Sequence, residues 1–368
     1  MTTNVKMDDP FDAGKPLSMK QLFDYAVDVK ASDLLITSHS PPVVRVNGSL
    51  YAAADIVLDP ESTRRLIWSL LTEIQQEQFE RTKELDVLLS VTSTVRFRAN
   101  IYYQRGSVAG AFRLIPDIFP SLHSLGLHPI VHELALRQQG LILVTGPAGS
   151  GKSTTTAAMI DLINETRNCH IVTIEDPIEF VHRNKCAIID QREVYADTLS
   201  FANALKYVLR ETPDVILVGE LRDLETIAAA LTAAETGTLV IATLHANDAI
   251  QSIDRMVDVF PPQQQSQVRV QIAFCLLGVL AQHLILRADK KGRVLAMEVL
   301  LNNTAIASHI REGKTHLSKT VVETSRKEGM ITMDARVREL YLEGRILFAD
   351  AVRYVSHPRI LSDAVHVC

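Results

Sequence analysis

The chain has 368 residues, of which 47% are hydrophobic and 22% charged, a composition typical of a folded protein with more than one domain. Its net charge of −5 and aromatic content of 5% disfavour general nucleic-acid binding, which needs a basic groove and stacking rings. The four cysteines are far apart, form no C-x-x-C pair and suggest neither a zinc site nor a disulfide framework, so a reducing, cytoplasmic setting fits best.

The N-terminal third predicts a small α+β domain over residues 16–116, preceded by a mobile tail over residues 1–15. The pattern predicts helices over 17–29 and 60–80, strands over 33–37 and 43–46, and a strand pair over 95–103 and 108–115 around Gly106. Pro116 and Pro120 interrupt both helices and sheets, and we place the linker there.

Short apolar runs of strand length alternate with helical patterns in residues 117–368, which we assign to a second domain. The runs are residues 141–145, 170–174, 215–218 and 239–242. The alternation predicts a parallel sheet covered on both faces, with ligands at the carboxyl ends of its strands. From about Leu300 the pattern is helical, and Gly313, Gly329 and Gly344 are expected to end helices.

No secretory signal pattern is found in the sequence. The most apolar stretch, residues 272–286, is interrupted by Gln282 and His283 and is too short for a transmembrane helix. We therefore expect no membrane span.

Residues 146–154 match the phosphate-binding pattern G-x-x-x-x-G-K-[ST] at every fixed position, between a strand pattern and a helix pattern. Inward-turned backbone N–H groups bind phosphates, Lys152 reaches the outer phosphates, and the Ser153 hydroxyl is placed to bind Mg²⁺. The expected cofactors are ATP and Mg²⁺. The predicted nucleotide-binding residues are Gly146, Pro147, Ala148, Gly149, Ser150, Gly151, Lys152, Ser153 and Thr154.

Three further polar side chains follow predicted strands of the same domain: Glu175, Glu220 and His245. Carboxylates in such positions orient the attacking water or bind Mg²⁺ in ATPases, and we choose Glu175 as the base and Glu220 for the metal. Taken singly, such a carboxylate is more often a helix cap, and a lone histidine is more often structural. Four strand ends that converge on one phosphate loop favour a catalytic site.

Arg98, Arg105 and Arg113 lie on or between the two paired strands of the first domain. Phosphoryl transfer needs positive charge at the phosphate oxygens, and arginines from another domain supply it when a site closes. We predict that at least two of these side chains reach the triphosphate. The alternative is a solvated strand face with cross-strand partners.

Four segments together resemble the Walker A, Asp box, Walker B and His box of the secretion ATPases. They are residues 146–154, 173–179, 213–223 and 236–245, within a resemblance that extends over residues 17–351. The chain is most similar to the type IV pilus retraction ATPases, the PilT and PilU group. It has neither the longer N-terminal region nor the four-cysteine insert of extension and secretion members, which favours retraction.

The resemblance implies a PAS-like first domain followed by a RecA-like P-loop ATPase domain. It implies a homohexamer that couples ATP hydrolysis to pilus retraction and twitching motility. It also implies a cytoplasmic protein, peripherally associated with the inner membrane through a platform protein at the pilus base. A paralogous retraction ATPase is a further candidate partner, and nucleic acid is not expected.

Ala148, Thr212 and Thr238 depart from the group, which usually has Thr, Asp and His at these positions. The last departure removes a side chain that would sense ligand or line an interface. An accessory, PilU-like motor that depends on a partner ATPase therefore stays open, and a type II secretion or pilus extension ATPase is a less favoured interpretation.

Two functions of other classes share a phosphate loop. A nucleic-acid translocase is disfavoured by the acidic balance and the few aromatic residues, and DNA-stimulated, salt-sensitive turnover would reverse that ranking. A small-molecule kinase leaves the first domain without an evident purpose.

Overall fold

The computed structural model describes residues 17–46, 48–92, 95–115, 121–122 and 124–362. The predicted tail and the linker prolines Pro116 and Pro120 lie outside the described residues. The internal contacts of the chain divide it into two compact units, residues 1–118 and 119–368.

The first unit contains an antiparallel sheet with helices packed against it. Its elements are α1 (Met19–Asp28), β1 (Asp33–Ile36), β2 (Val43–Val46), β3 (Ser49–Ala52), α2 (Pro60–Trp68), α3 (Glu73–Thr82), β4 (Glu84–Ser90), β5 (Arg96–Gln104) and β6 (Ser107–Ile115). The strand order is β3-β2-β1-β6-β5-β4. Alternate residues of β5, namely Phe97, Ala99 and Ile101, are fully buried, and the Phe97 ring stacks on Phe23 of α1. The sheet therefore has one core face.

The single helix predicted over residues 60–80 is wrong, because the structure has two helices there. The first ends at Trp68, and Thr72 begins the second. The Thr72 side chain accepts from the Gln75 backbone N–H while the Gln75 side chain accepts from the Thr72 N–H. This capping box satisfies backbone groups that a continuous helix would have paired internally, so it favours a new start.

The second unit is a largely parallel sheet between helices, which confirms the predicted α/β class. Its elements are α4 (Ile130–Ala135), β7 (Gly140–Thr145), α5 (Lys152–Thr166), β8 (His170–Glu175), β9 (Ile188–Glu193), α6 (Phe201–Val208), β10 (Val215–Val218), α7 (Leu224–Glu235), β11 (Leu239–Leu244), α8 (Ala249–Asp258), α9 (Pro262–Cys275), β12 (Leu276–Leu286), β13 (Arg293–Leu301), α10 (Thr304–Glu312), α11 (Ser318–Thr324), α12 (Met333–Leu342), α13 (Phe348–Ala351) and α14 (Arg359–Ser362). Short 3₁₀ turns at Thr315–Leu317 and Arg326–Glu328 flank α11.

Successive residues of the inner strand β7 face different cores. Leu141 and Leu143 pack in one apolar cluster with α6 to α10, whereas Ile142 and Val144 pack in another with α4 and α5. All four are fully buried. A strand covered on both faces reads as a continuous apolar run, which is why the sequence alone predicts β7 well.

The strand order β13-β12-β7-β11-β10-β8-β9 contains three strands that the apolar runs do not predict. β9 carries polar residues, β12 follows α9 directly, and β13 is antiparallel to β12. The apolar stretch 272–286 is thus divided between the end of a helix and a strand. Within the described residues, no helix combines the length and apolarity that a bilayer crossing requires.

The predicted helix-ending glycines are confirmed. Gly313 and Gly329 occupy C-cap positions, and Gly344 follows the last turn of α12. Each has a positive φ, the left-handed conformation in which a helix commonly ends.

Candidate active site

The carboxyl ends of four strands meet at one edge of the second sheet. β7, β11, β10 and β8 are neighbours and run parallel. Because parallel neighbours end on the same side, the phosphate loop after β7, His245 after β11, Glu220 after β10 and Glu175 at the end of β8 are brought together. They line one cavity of about 220 Å³.

The phosphate loop packs closely on the backbone of β12. A Cβ on Gly146 would lie 2.4 Å from the main-chain oxygen of Gln282, and the φ of Gly146 is +146°. Only glycine accommodates both conditions. The helix α5 begins at Lys152, and Lys152 and Ser153 both line the cavity, so its N-terminal N–H groups and positive dipole end lie beside the space for a phosphate.

The Lys152 ammonium is bound by the loop itself. Its Nζ donates to the carbonyl oxygens of Gly146 at 2.8 Å and Pro147 at 3.1 Å. Burial lowers the pKa of Lys152, and the carboxylates of Glu220 and Glu179 oppose that shift. A phosphate oxygen that replaced these neutral carbonyls would give this buried cation a charged partner.

Glu175 is held by donors on two strands. Thr173 Oγ1 donates to Glu175 Oε1 at 2.7 Å, and Gln191 Nε2 on β9 donates to the same oxygen at 3.1 Å. Burial nevertheless raises the pKa of Glu175 to about 7, because these hydrogen bonds offset only part of the desolvation of its charged form. A carboxyl with this pKa accepts a proton readily at neutral pH.

Glu220 and Lys152 are connected through His245. His245 Nδ1 lies 3.4 Å from Lys152 Nζ, and His245 Nε2 lies 3.4 Å from Glu220 Oε1. A neutral ring with its proton on Nε2 accepts from the lysine and donates to the glutamate. The other oxygen of Glu220 pairs with Arg222 at 2.7 Å.

Two side chains that the sequence did not single out hold these groups in place. Thr145 Oγ1 donates toward the carbonyls of Leu244 and Ala246 and accepts from the Ala246 N–H at 3.1 Å, which fixes the chain on both sides of His245. Gln191 binds Glu175, and it also bonds the backbone of Phe180 and His182. Neither residue belongs to a contiguous motif, so the sequence carries no signal for them.

The cavity suits a nucleotide with a hard divalent cation. Ser150 Oγ in the loop is buried and has no hydrogen-bond partner within the described part of the chain. Ser153 and Glu220 offer hydroxyl and carboxylate oxygens in the same cavity. No cluster of three acidic, histidine or cysteine side chains suited to a metal occurs among the described residues. Mg²⁺ needs no such cluster, since one or two protein ligands and the phosphates suffice.

The three arginines lie in the first unit. Arg98 stands opposite Arg113 across β5 and β6, and Arg113 stands opposite Asp33 across β6 and β1. Arg113 Nε donates to Asp33 Oδ1 at 3.0 Å. Arg105 is exposed in the turn between β5 and β6. Across the described ranges of this unit, Arg98 and Arg105 make no ion pair.

The three departures occupy different places. Ala148 lines the cavity. Thr238 precedes β11 and its hydroxyl donates to the Pro213 carbonyl at 3.5 Å, at the end of the strand opposite to His245. Thr212 lies in the connection before β10 with a φ of +52°. Thr238 is therefore not placed to sense a ligand in the cavity of its own chain.

A family model described as type II/IV secretion system protein matches residues 121–357. The type IV pilus retraction ATPase PilT of Pseudomonas aeruginosa is 42% identical over 330 residues, which are 90% of this chain and 96% of that protein. The type IV pilus ATPase PilU of the same organism is 39% identical over 338 residues, which are 92% of this chain and 88% of that protein.

A crystal structure of the pilus retraction motor PilT with bound ADP superposes with a TM-score of 0.89. It is 46% identical and covers 94% of this chain and 99% of its own. These matches confirm the resemblance inferred from the four motif segments. The chain therefore belongs to the type II/IV secretion system protein family and, within it, to the type IV pilus retraction ATPases.

Proposed function

We propose that this chain is a motor that hydrolyses ATP to ADP and phosphate and uses the free energy to retract a type IV pilus. One observation carries the proposal: the phosphate loop, Glu175, Glu220 and His245 converge on one cavity. The similarity to PilT over nine tenths of the chain supports retraction over other motor functions.

The loop backbone and Lys152 would bind the β and γ phosphates, with Lys152 leaving the carbonyls that it now contacts. Ser153 and Glu220 would hold Mg²⁺, which when bound supplies positive charge to the phosphate oxygens during transfer. Movement of Lys152 would change the hydrogen bond that His245 offers to Glu220, so occupancy of the loop is communicated to the second carboxylate.

Glu175 would accept the proton of the water that attacks the γ phosphorus. Its pKa of about 7 makes it a base that is largely ionised just above neutrality yet basic enough to take the proton. Thr173 and Gln191 orient its carboxyl group from the protein side. We assign Glu220 to the metal side because its carboxylate lines the same cavity as the Ser153 hydroxyl.

Arg98, Arg105 and Arg113 would supply further charge to the triphosphate when the first unit closes on a nucleotide. Two arginines side by side repel each other, and a single aspartate offsets only part of that repulsion. A bound phosphate would relieve it. Opening and closing would then follow the nucleotide cycle.

The proposed assembly is a homohexamer in the cytoplasm, peripherally associated with the inner membrane through a platform protein at the pilus base. The family to which the chain belongs supports this placement. A paralogous ATPase is a further proposed partner, in line with the similarity to both PilT and PilU.

A deletion strain tests the function directly. We expect cells without this protein to be hyperpiliated and non-twitching, and the wild-type gene to restore movement. Lys152→Ala should restore nothing and should have no measurable ATP turnover when purified, because the charge facing the phosphates is lost. Lys20→Ala, an exposed residue of α1, is the matched control. Wild-type turnover in Lys152→Ala would contradict the site, and twitching that persists in the deletion strain would favour the accessory role.

The pH dependence of kcat/KM distinguishes the proposed roles of Glu175 and Glu220. Wild-type kcat/KM should rise with pH through a midpoint near 7, where Glu175 becomes ionised. Glu175→Gln should turn over ATP about 10²-fold or more slowly than wild type while still binding it. The rise of kcat/KM with a midpoint near pH 7 should be absent from this variant. Glu220→Gln should keep the midpoint and require more Mg²⁺. Glu165→Gln, outside the cavity, serves as the control.

Protein folding provides an independent check on Glu175. Folding raises the pKa of the Glu175 carboxyl from 4.5 to about 7. Ionisation of Glu175 therefore destabilises the fold increasingly above pH 4.5, and the full cost in stability is reached above pH 7. Glu175→Gln should therefore melt no lower than wild type at pH 8. Unchanged turnover in this variant would remove Glu175 from the mechanism.

Alanine substitution at Arg98, Arg105 and Arg113 should lower turnover in at least two of the three variants. Where phosphoryl transfer uses such an arginine, its charge is worth about 10³ or more in rate. Turnover and nucleotide affinity are measured together, with Arg64→Ala on α2 as the control. Full activity in all three would favour a solvated strand face.

Light scattering with nucleotide present tests the ring. We expect a mass about six times the 40.8 kDa of one chain. A monomer at micromolar concentration would contradict the hexamer.

A further inference from the structure

Gln282 lies where β12 continues beyond the end of its neighbour β7. The parallel register pairs Leu280 with Val144 and Ala281 with Thr145, the last residue of β7. The next residue of β12 therefore stands beside Gly146, where the phosphate loop begins. β12 is one of the strands that the sequence did not predict.

Gln282 contacts both ends of the loop. Its main-chain oxygen packs against Gly146 so closely that a Cβ there would lie 2.4 Å away. Its side-chain Nε2 donates to Thr155 Oγ1 at 2.8 Å. Thr155 is buried on the first turn of α5, three residues after Lys152. One residue thus touches the first residue of the phosphate-binding segment and the residue that follows its last.

The rest of the β12–β13 hairpin follows the same loop. Leu284 lies 3.6 Å from the position of a Cβ on Gly151, and Arg293 of β13 donates to the Gly149 carbonyl at 3.4 Å. The hairpin contacts the loop along its length, and Gln282 makes the only side-chain hydrogen bond to α5 that the described residues of β12 provide.

The side chain of Gln282 is polar at a position where the strand is buried. Alternate residues share a face of a strand, so Gln282 lies between Leu280 and Leu284 on one face. It is fully buried, and among the residues that the structure describes its Oε1 meets no donor. A buried polar atom without a partner destabilises a fold, and an apolar side chain of similar size would avoid that cost. Its presence points to a role in the site.

We propose that Gln282 is a positioning residue of the ATPase, which sets the phosphate loop by holding Gly146 and Thr155 at a fixed separation from β12. Lys152 and Ser153 lie between these two anchors. Without the Thr155 contact, the first turn of α5 shifts relative to the loop, and the lysine and the serine hydroxyl lose their alignment with the phosphates. The inference rests on the proposed ATPase site.

The test is Gln282→Met, which keeps the volume and removes the hydrogen bond. Small misplacements of reacting groups cost up to about 10²-fold in rate, so we expect kcat to fall at least about tenfold while KM for ATP changes less. The melting temperature should match or exceed that of Gln271→Met. This control loses a single hydrogen bond to Glu235 from a half-buried glutamine of α9 that does not line the cavity.

Thr155→Val removes the same hydrogen bond from the other side. Since both variants break one contact, their effects on kcat should not multiply in the double variant. Turnover within twofold of wild type in either variant, or effects that multiply, would overturn the proposal. If Gln282→Met does not fold, Thr155→Val alone decides. Absence of turnover in wild type would instead count against the proposed function.

Discussion

The parallel register of β7, β11, β10 and β8 brings the phosphate loop, Glu175, Glu220 and His245 together. Backbone hydrogen bonds align these strands residue by residue, from Leu239 beside Gly140 to Leu244 beside Thr145. A shift of one residue would turn each side chain to the other face of the sheet. The apolar clusters on both faces oppose such a shift, because each strand would then exchange its contacts on two sides at once.

The cavity contains opposite charges that are only partly compensated by the protein. Lys152 is buried against neutral carbonyls, and Glu175 is buried with a pKa of about 7. Both arrangements cost stability, and a phosphate would relieve the first and a proton the second. This cost is the kind expected of a site whose charges match a reacting ligand rather than each other.

Supporting residues reach the site from strands that are distant in the sequence. Gln191 orients Glu175 from β9, Thr145 fixes both sides of His245, and Gln282 contacts the loop from β12. Each makes a hydrogen bond to a group of the site or to the chain beside it. The same sheet therefore provides a stable apolar interior and a precisely ordered polar edge.

The sequence by itself determined the phosphate loop, the strands covered on both faces and the order of the motif segments. These features are local: a loop of nine residues folds through its own glycines, and a buried strand needs a contiguous apolar run. The break between α2 and α3 is local as well, because the capping box of Thr72 and Gln75 spans three residues, although the apolar pattern alone did not predict it. Only the tertiary structure decided the antiparallel edge strand β13 and the partners of Glu175 and the loop. Those depend on register between segments up to 127 residues apart, such as Thr155 and Gln282. Spacing along the chain carries no information about such register, because it is set by the packing of the whole sheet.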